Sequence, residues 1–209
     1  MAAKARLVLA SASDARLRTL LGAGLNPEVI VSGVDEDSEQ VDGVRELTAR
    51  LAQRKAEAVS ARIDHGSGVT VVIGCDSMLE LDDVGYGKPG TPAEAAQRWQ
   101  RMRGRSGLLH TGHHVILHQA WTINSRSAVA STVVHFAELT DAEIEAYVAT
   151  AEPLDVAGGF TIDGLGGPFV TGNEGDHHNV VGISLPLLRS MMNELGIWWP
   201  SLWDIAGVR

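Results

Sequence analysis

Only one cysteine, Cys75, occurs in the 209 residues, so an internal disulfide is excluded and nothing speaks against a reducing compartment. No apolar run approaches the ~20 residues that a membrane helix needs. The early stretch Ala5 to Ala12 is too short for the apolar core of a signal peptide, and it alternates polar with apolar positions. A cytoplasmic protein that does not enter membranes is therefore the expectation. A basic field is missing as well. The formal net charge of −9 argues against general nucleic-acid binding, which depends on neutralising phosphates. There is also no internal repeat, low-complexity segment or clear domain linker.

Acids are themselves missing from one long stretch. None occurs between Glu94 and Glu138, where Arg98, Arg101, Arg103, Arg105 and Arg126 fall. This stretch is either a solvated helix face or the rim of a pocket for a small polyanion. An acidic protein with a local cationic pocket suits a small phosphorylated ligand better than a polymer.

What is present is an ordinary soluble composition, with length enough for one large domain or two small lobes around a cleft. The apolar run Val69 to Ile73 has the pattern of a strand buried on both faces. It is expected to end at Gly74, with the carboxylate of Asp76 just beyond it. Lys88 follows a dozen residues later between Gly87 and Pro89. Open α/β sheets bind ligands at the carboxyl ends of their strands, so an acid and a returning lysine there form a candidate site. An ordinary polar turn is the alternative from this stretch alone, and Cys75 is packing.

The chain opens with a strand, Arg6 to Ala10, then the turn Ser11-Ala12-Ser13. A helix follows from Asp14 with Leu17, Leu20 and Leu21 at helical spacing. Ser13 suits the N-cap, and the helix start offers backbone N–H groups to an anion. A second strand is expected over Glu28 to Ser32, then an acidic loop, Val34 to Asp37. A helix over Arg45 to Ala61 carries Leu47, Leu51 and Lys55. Thr91-Pro92-Ala93-Glu94 has the form of a capping box that starts a helix with Trp99 and Met102 inward.

His113 to His118 and Ser127 to Phe136 alternate as half-buried antiparallel strands do, with Asn124-Ser125 as the turn between them. A second capping box, Thr140 to Glu143, opens a helix through Tyr147. The glycine-dense residues 156 to 175 fit short strands and tight turns, and Leu185 to Leu195 is a last helix. The fold class is α/β: a mixed, twisted, incompletely parallel sheet with flanking helices.

The polar groups at these positions are Ser11, Arg16, Glu36, Lys55, Asp76 and Lys88. Three cations, two carboxylates and a helix N-terminus fit a phosphate site that also holds a divalent metal. Two other clusters compete. Glu174, Asp176, His177 and His178 include adjacent histidines that a strand would point to opposite faces. His110, His113, His114 and His118 lack a cysteine partner for zinc and are expected to be exposed strand histidines. The tail tryptophans Trp198, Trp199 and Trp203 suit the core or a subunit interface.

An ordered set of short motifs runs through the chain. They are Leu9-Ala10-Ser11-Ala12-Ser13 with Arg16, Lys55-Ala56, Gly74-Cys75-Asp76-Ser77, Gly87-Lys88-Pro89, Ala157-Gly158-Gly159-Phe160, Gly175-Asp176 and Val180-Val181-Gly182. Together they resemble the Maf family of nucleoside triphosphate pyrophosphatases over roughly Arg6 to Leu195, as a single domain spanning residues 1–209. The family's fold is similar to that of the inosine triphosphate pyrophosphatases. The resemblance implies hydrolysis between the α and β phosphates of a nucleoside triphosphate with a divalent cation, Mg²⁺ or Mn²⁺. It implies a homodimer as well.

By the same resemblance Asp76 is the general base or metal organiser, with Glu36 as a second metal group. Ser11, Ser13, Arg16, Lys55, Ser77, Lys88 and Asp163 contact substrate. Four positions depart from the family pattern. Asp14 replaces a proline and Ala15 an arginine, so the phosphate cradle has one cation fewer. Gly107 stands where a histidine is usual, and Asp163 where a glutamine is. Ser77, in place of threonine, leans towards a pyrimidine nucleotide. The lost arginine and the Asp163 change motivate an alternative, a nucleotide-binding regulator in cell-division control without turnover.

Overall fold

The computed structural model describes residues 5–36, 39, 41–66 and 68–204. Asp37 of the acidic loop and Ser67 of the expected turn lie outside them. The elements in order are β1 (Arg6–Leu9), α1 (Asp14–Gly22), β2 (Glu28–Val29), α2 (Val44–Ser60), β3 (Val69–Leu81), β4 (Val84–Tyr86) and α3 (Pro92–Met102). They continue as β5 (Ser106–Gln119), β6 (Thr122–Phe136), α4 (Asp141–Ala149), β7 (Val170–Glu174), α5 (His177–Val181) and α6 (Leu185–Glu194). The seven strands form one mixed sheet in the order β2-β1-β3-β5-β6-β7, and β4 pairs separately with β3. β1 runs parallel to β2 and β3, and the other pairings are antiparallel. The expected α/β architecture with flanking helices is the one observed.

β3 organises the sheet, and it does not stop at Gly74. It continues to Leu81, paired with β5 from Val69↔Gln119 to Glu80↔Leu108, so Asp76 lies inside a strand and not beyond one. Gly74 is needed for another reason. A Cβ there would lie 2.2 Å from the Ala52 carbonyl oxygen of α2, and one on Gly112 of β5 would lie 2.1 Å from the Thr48 oxygen. Two glycines on neighbouring strands thus let α2 rest directly on the sheet.

Residues alternate across β3. Val71, Ile73 and Cys75 enter a core with Leu9, Leu20, Ile183, Leu188 and Met192. Leu79 and Leu81 belong to a second core with Trp99, Phe136, Tyr147 and Phe160. Val72, on the opposite face, packs with Ala56 and Val59 of α2. Asp76 and Ser77 lie on the strand between the first two cores.

The edge of β3 that faces β1 is interrupted. β1 pairs with β3 only as far as Leu9↔Ile73, and β4 occupies the same edge only from Leu79↔Tyr86. Between them, Gly74 to Met78 have no ladder partner on that side among the described residues. The Ser11 loop leaves β1 at one end of this gap. β4 runs back along the edge from the other end, so Gly87 and Lys88 follow at the far rim.

Several local expectations change. The second strand is only Glu28–Val29, an exposed edge pairing with two residues of β1. The β5–β6 turn falls after Gln119, with Ala120 at φ 53°, and Asn124 is paired with Leu117. A 14-pair ladder outweighs the turn preference of Asn-Ser. Thr91 accepts the Glu94 N–H, but Glu94 turns to Arg98 at 2.7 Å, so the cap is one-sided there. The Thr140–Glu143 capping box is complete. Residues 156 to 175 form 3₁₀ turns and β7. His177 and His178 are in α5, not on a strand, with Asp176 as N-cap.

Candidate functional site

Lys55 lies on the buried face of α2, which the two glycine contacts press against the sheet. Its ammonium is 2.5 Å from Asp76 Oδ1 and 2.6 Å from Glu36 Oε1, so one cation joins the strand acid to the acidic loop. Lys55 and Asp76 are both buried, while the Glu36 side chain is half exposed. Burial pushes the Asp76 carboxyl above its ordinary value of 3.8, and the charges of Lys55 and Arg16 oppose that rise. Burial dominates. Cys75 is fully buried and its thiol is pushed up to about 11, which fits a packing residue.

Arg16 comes from α1 on the other face of the sheet. Its Nε donates to the Gly182 carbonyl at 2.8 Å, Nη1 to Ser11 Oγ at 3.0 Å and Nη2 to Ser77 Oγ at 2.9 Å. Three of the five guanidinium N–H groups are thereby used. The hydroxyl protons can be assigned by exclusion. Thr111 donates to the Asn179 carbonyl, so Ser77 donates to Thr111 at 2.9 Å and its proton points away from the gap. Ser11 Oγ accepts from Arg16 and from the Ser13 N–H, which leaves its own proton unassigned and available. Ser13 caps α1 by accepting the Arg16 N–H.

Ser11, Arg16, Glu36, Lys55, Asp76 and Ser77 are thus brought into two hydrogen-bonded groups at the gap. Lys88 is exposed at its rim, and among the described residues no hydrogen bond or ion pair joins its side chain to the six. Asp163 does not touch them either; it pairs with Arg18 of α1 at 3.7 Å, both partly exposed. Its loop is held by Glu152, whose carboxylate accepts from Thr161 Oγ1, Leu165 N–H and Gly166 N–H. A Cβ on Gly107 would lie 2.8 Å from Leu79 Cδ1, so a histidine there would require the Leu79 side chain to shift.

Sequence reasoning missed Thr111, Arg18 and Glu152. Thr111 is one of several polar residues on β5, and only the β3–β5 register sets it opposite Ser77. Glu152 precedes a proline at a turn, which looks like ordinary loop chemistry.

The histidines correct an expectation. His110, His113, His114 and His118 are buried, not exposed, because β5 is covered on both faces. Each has a hydrogen-bond partner: Glu80 and Ser131, Thr111 and Ser184, Ser127, and Ser60 respectively. The Ser184 N–H donates to His113 Nε2, so Nδ1 carries the proton and donates to the Thr111 carbonyl. Burial, helped by the Arg16 charge, pushes His113 down to about 4. Among the described residues no three His, Cys, Asp or Glu side chains are grouped to hold a metal ion. Of the tail tryptophans, Trp198 is exposed and Trp199 packs against the first core.

A mixed α/β sheet with a buried acid–lysine pair on one face and a serine-bound arginine on the other defines a candidate polyanion site. The Maf-like protein family model matches residues 6–195, and the chain belongs to that family. A nucleoside triphosphate pyrophosphatase of Salinispora tropica is 55% identical over 200 residues, covering 95% of this chain and 88% of that one. Another so named, from Streptomyces coelicolor, is 53% identical over 205 residues and covers 96% of each chain. The Staphylococcus aureus Ham1 protein structure aligns with 91% of this chain and 99% of its own, at 12% identity and a TM-score of 0.44.

Proposed function

We propose that this protein is a nucleoside triphosphate pyrophosphatase that releases a monophosphate and pyrophosphate. The observation that carries the reading is the buried Asp76–Lys55 contact at an interrupted sheet edge, with Arg16 and Ser11 on the same gap. The names of the family relatives support it, and they do not favour a binding protein without turnover. In this reading water attacks the α phosphorus and the bond to the bridging oxygen breaks. Pyrophosphate leaves with the bond's electron pair, and the water proton passes to Asp76. Arg16 has two N–H groups left for phosphate oxygens, Ser11 its hydroxyl proton, and Lys88 an ammonium with no ion pair among the described residues.

The donor set fits a hard divalent cation. Mg²⁺ is commonly held by one or two carboxylates with substrate phosphates, and Glu36 and Asp76 already share one cationic partner. These two carboxylates would hold the ion, which would supply charge neutralisation on the phosphates. The Lys55 charge opposes the effect of burial on the Asp76 carboxyl. Ser77 stands on the arginine side, accepting from Arg16 with its own proton committed to Thr111. The lean towards pyrimidine nucleotides rests on Ser77 replacing threonine. A homodimer in the cytoplasm completes the reading.

The test is a panel of purine and pyrimidine triphosphates with Mg²⁺ or Mn²⁺, assayed for pyrophosphate. Turnover of at least one triphosphate is expected, lost on chelation. No pyrophosphate from any member with either metal would overturn the proposal.

A further inference from the structure

Arg98 of α3 is a buried cation that faces neither solvent nor an acid of matching burial. Its side chain is 10% exposed, whereas its one carboxylate partner, Glu94, is 51% exposed. Its other bonds go to main chain. Nη1 donates to the Gly87 carbonyl at 2.5 Å, and Nη2 reaches the Lys88 carbonyl at a longer 3.5 Å. The guanidinium lies 5.3 Å from the ring of Tyr86, so it contacts three consecutive residues. Its Nε is buried, with no hydrogen-bond partner among the described residues. A buried N–H without a partner is unfavourable. The placement makes sense if the fork of the guanidinium is needed for the carbonyls.

Those carbonyls belong to the backbone that carries Lys88 to the rim of the gap. Gly87 O also accepts the Gly158 N–H at 3.0 Å, and Gly90 N–H donates to Leu154 O at 3.0 Å. Pro89 between them is buried beside Gly159. The loop is therefore tied at several points while the lysine side chain stays exposed. We infer that Arg98 is a positioning residue for Lys88: it fixes the loop so that the ammonium is presented to the triphosphate chain of a bound nucleotide. This inference rests on the pyrophosphatase reading of the site. The ligand class is a nucleoside triphosphate, and Arg98 itself touches none of it.

A double-mutant cycle tests the assignment. Affinity for an α,β-methylene nucleoside triphosphate with Mg²⁺ is measured by calorimetry, which needs no turnover, and kcat/KM is measured in parallel. Lys88→Met and Arg98→Met should each weaken binding about 10- to 100-fold, and the double variant should be no weaker than Lys88→Met alone. Arg98→Lys, which keeps a donor for Gly87 but not the fork, should recover part of the loss. Thermal unfolding of each variant separates a folding defect from a positioning one. Additive losses, or an unchanged affinity in Lys88→Met, would overturn the inference. Binding by the wild type without turnover would overturn the pyrophosphatase reading while the cycle still decides Arg98. Absence of analogue binding by the wild type would overturn both.

Discussion

Asp76 is a carboxylate on which burial and two cations act in opposite directions. Its pKa lies above the ordinary 3.8, and the proposed role of proton acceptor requires the ionised form, so the acidic limb of the pH–rate profile should fall above that value. Lys55 is the largest opposing charge. Lys55→Met should therefore move the limb to higher pH, read from kcat/KM across roughly pH 4 to 9; a shift to lower pH would contradict the assignment. Asp76→Asn should lower turnover by about 100-fold or more. His113 makes a stability prediction of separate origin. Its folded pKa is depressed from 6.5 to about 4, so the stability it contributes is present above pH 6.5 and is lost as pH falls towards 4. The loss amounts to about 3 kcal/mol and should appear as a falling Tm over that interval. His113→Gln should flatten it. At this scale the polar residues could be picked out from the sequence, but their bonding could not. Ser77 was legible as a position beside the acid. That it faces Arg16, with its proton held by Thr111, depends on residues 61 and 34 positions away.

α2 is the element on which the acid–lysine contact depends. It is held against β3 and β5 at Gly74 and Gly112, where any side chain would meet helix backbone. Gly74→Ala should force α2 outward, costing about 1–3 kcal/mol and several degrees of Tm, and should lower turnover by drawing Lys55 off Asp76. Gly68→Ala, where an added Cβ meets nothing within 4 Å, is the control and should leave turnover unchanged. The helices were largely legible, because caps and spacing are local signals: Ser13, Thr91 and Thr140 each cap where their motifs stand. The strands were less so. Gly74 has the look of a strand end, and its true role requires knowing that a helix crosses there. Asn124-Ser125 carries turn chemistry inside a paired ribbon, and the ladder that overrides it is non-local.

At the scale of the whole molecule, the candidate site lies at a break in the sheet. β3 has β5 on one edge from Val69 to Glu80, whereas the other edge is shared by β1 and β4 with an unpaired stretch between. Side chains from both faces reach that stretch, which is how Lys55 and Arg16, on opposite sides of the sheet, flank one gap. None of this pairing is written in local sequence, since the gap exists only once three strands are aligned. Of the residues in the ordered motifs, Ser11, Arg16, Lys55, Asp76 and Ser77 meet at it. The central claim is that this gap binds a triphosphate and cuts it between the first and second phosphates. The most direct measurement is ³¹P NMR of a triphosphate turned over by the wild type and by Asp76→Asn with Mg²⁺ or Mn²⁺. Monophosphate and pyrophosphate should appear together as first products with the wild type and not with the variant. Orthophosphate and diphosphate as first products, or undiminished pyrophosphate release by Asp76→Asn, would contradict that claim.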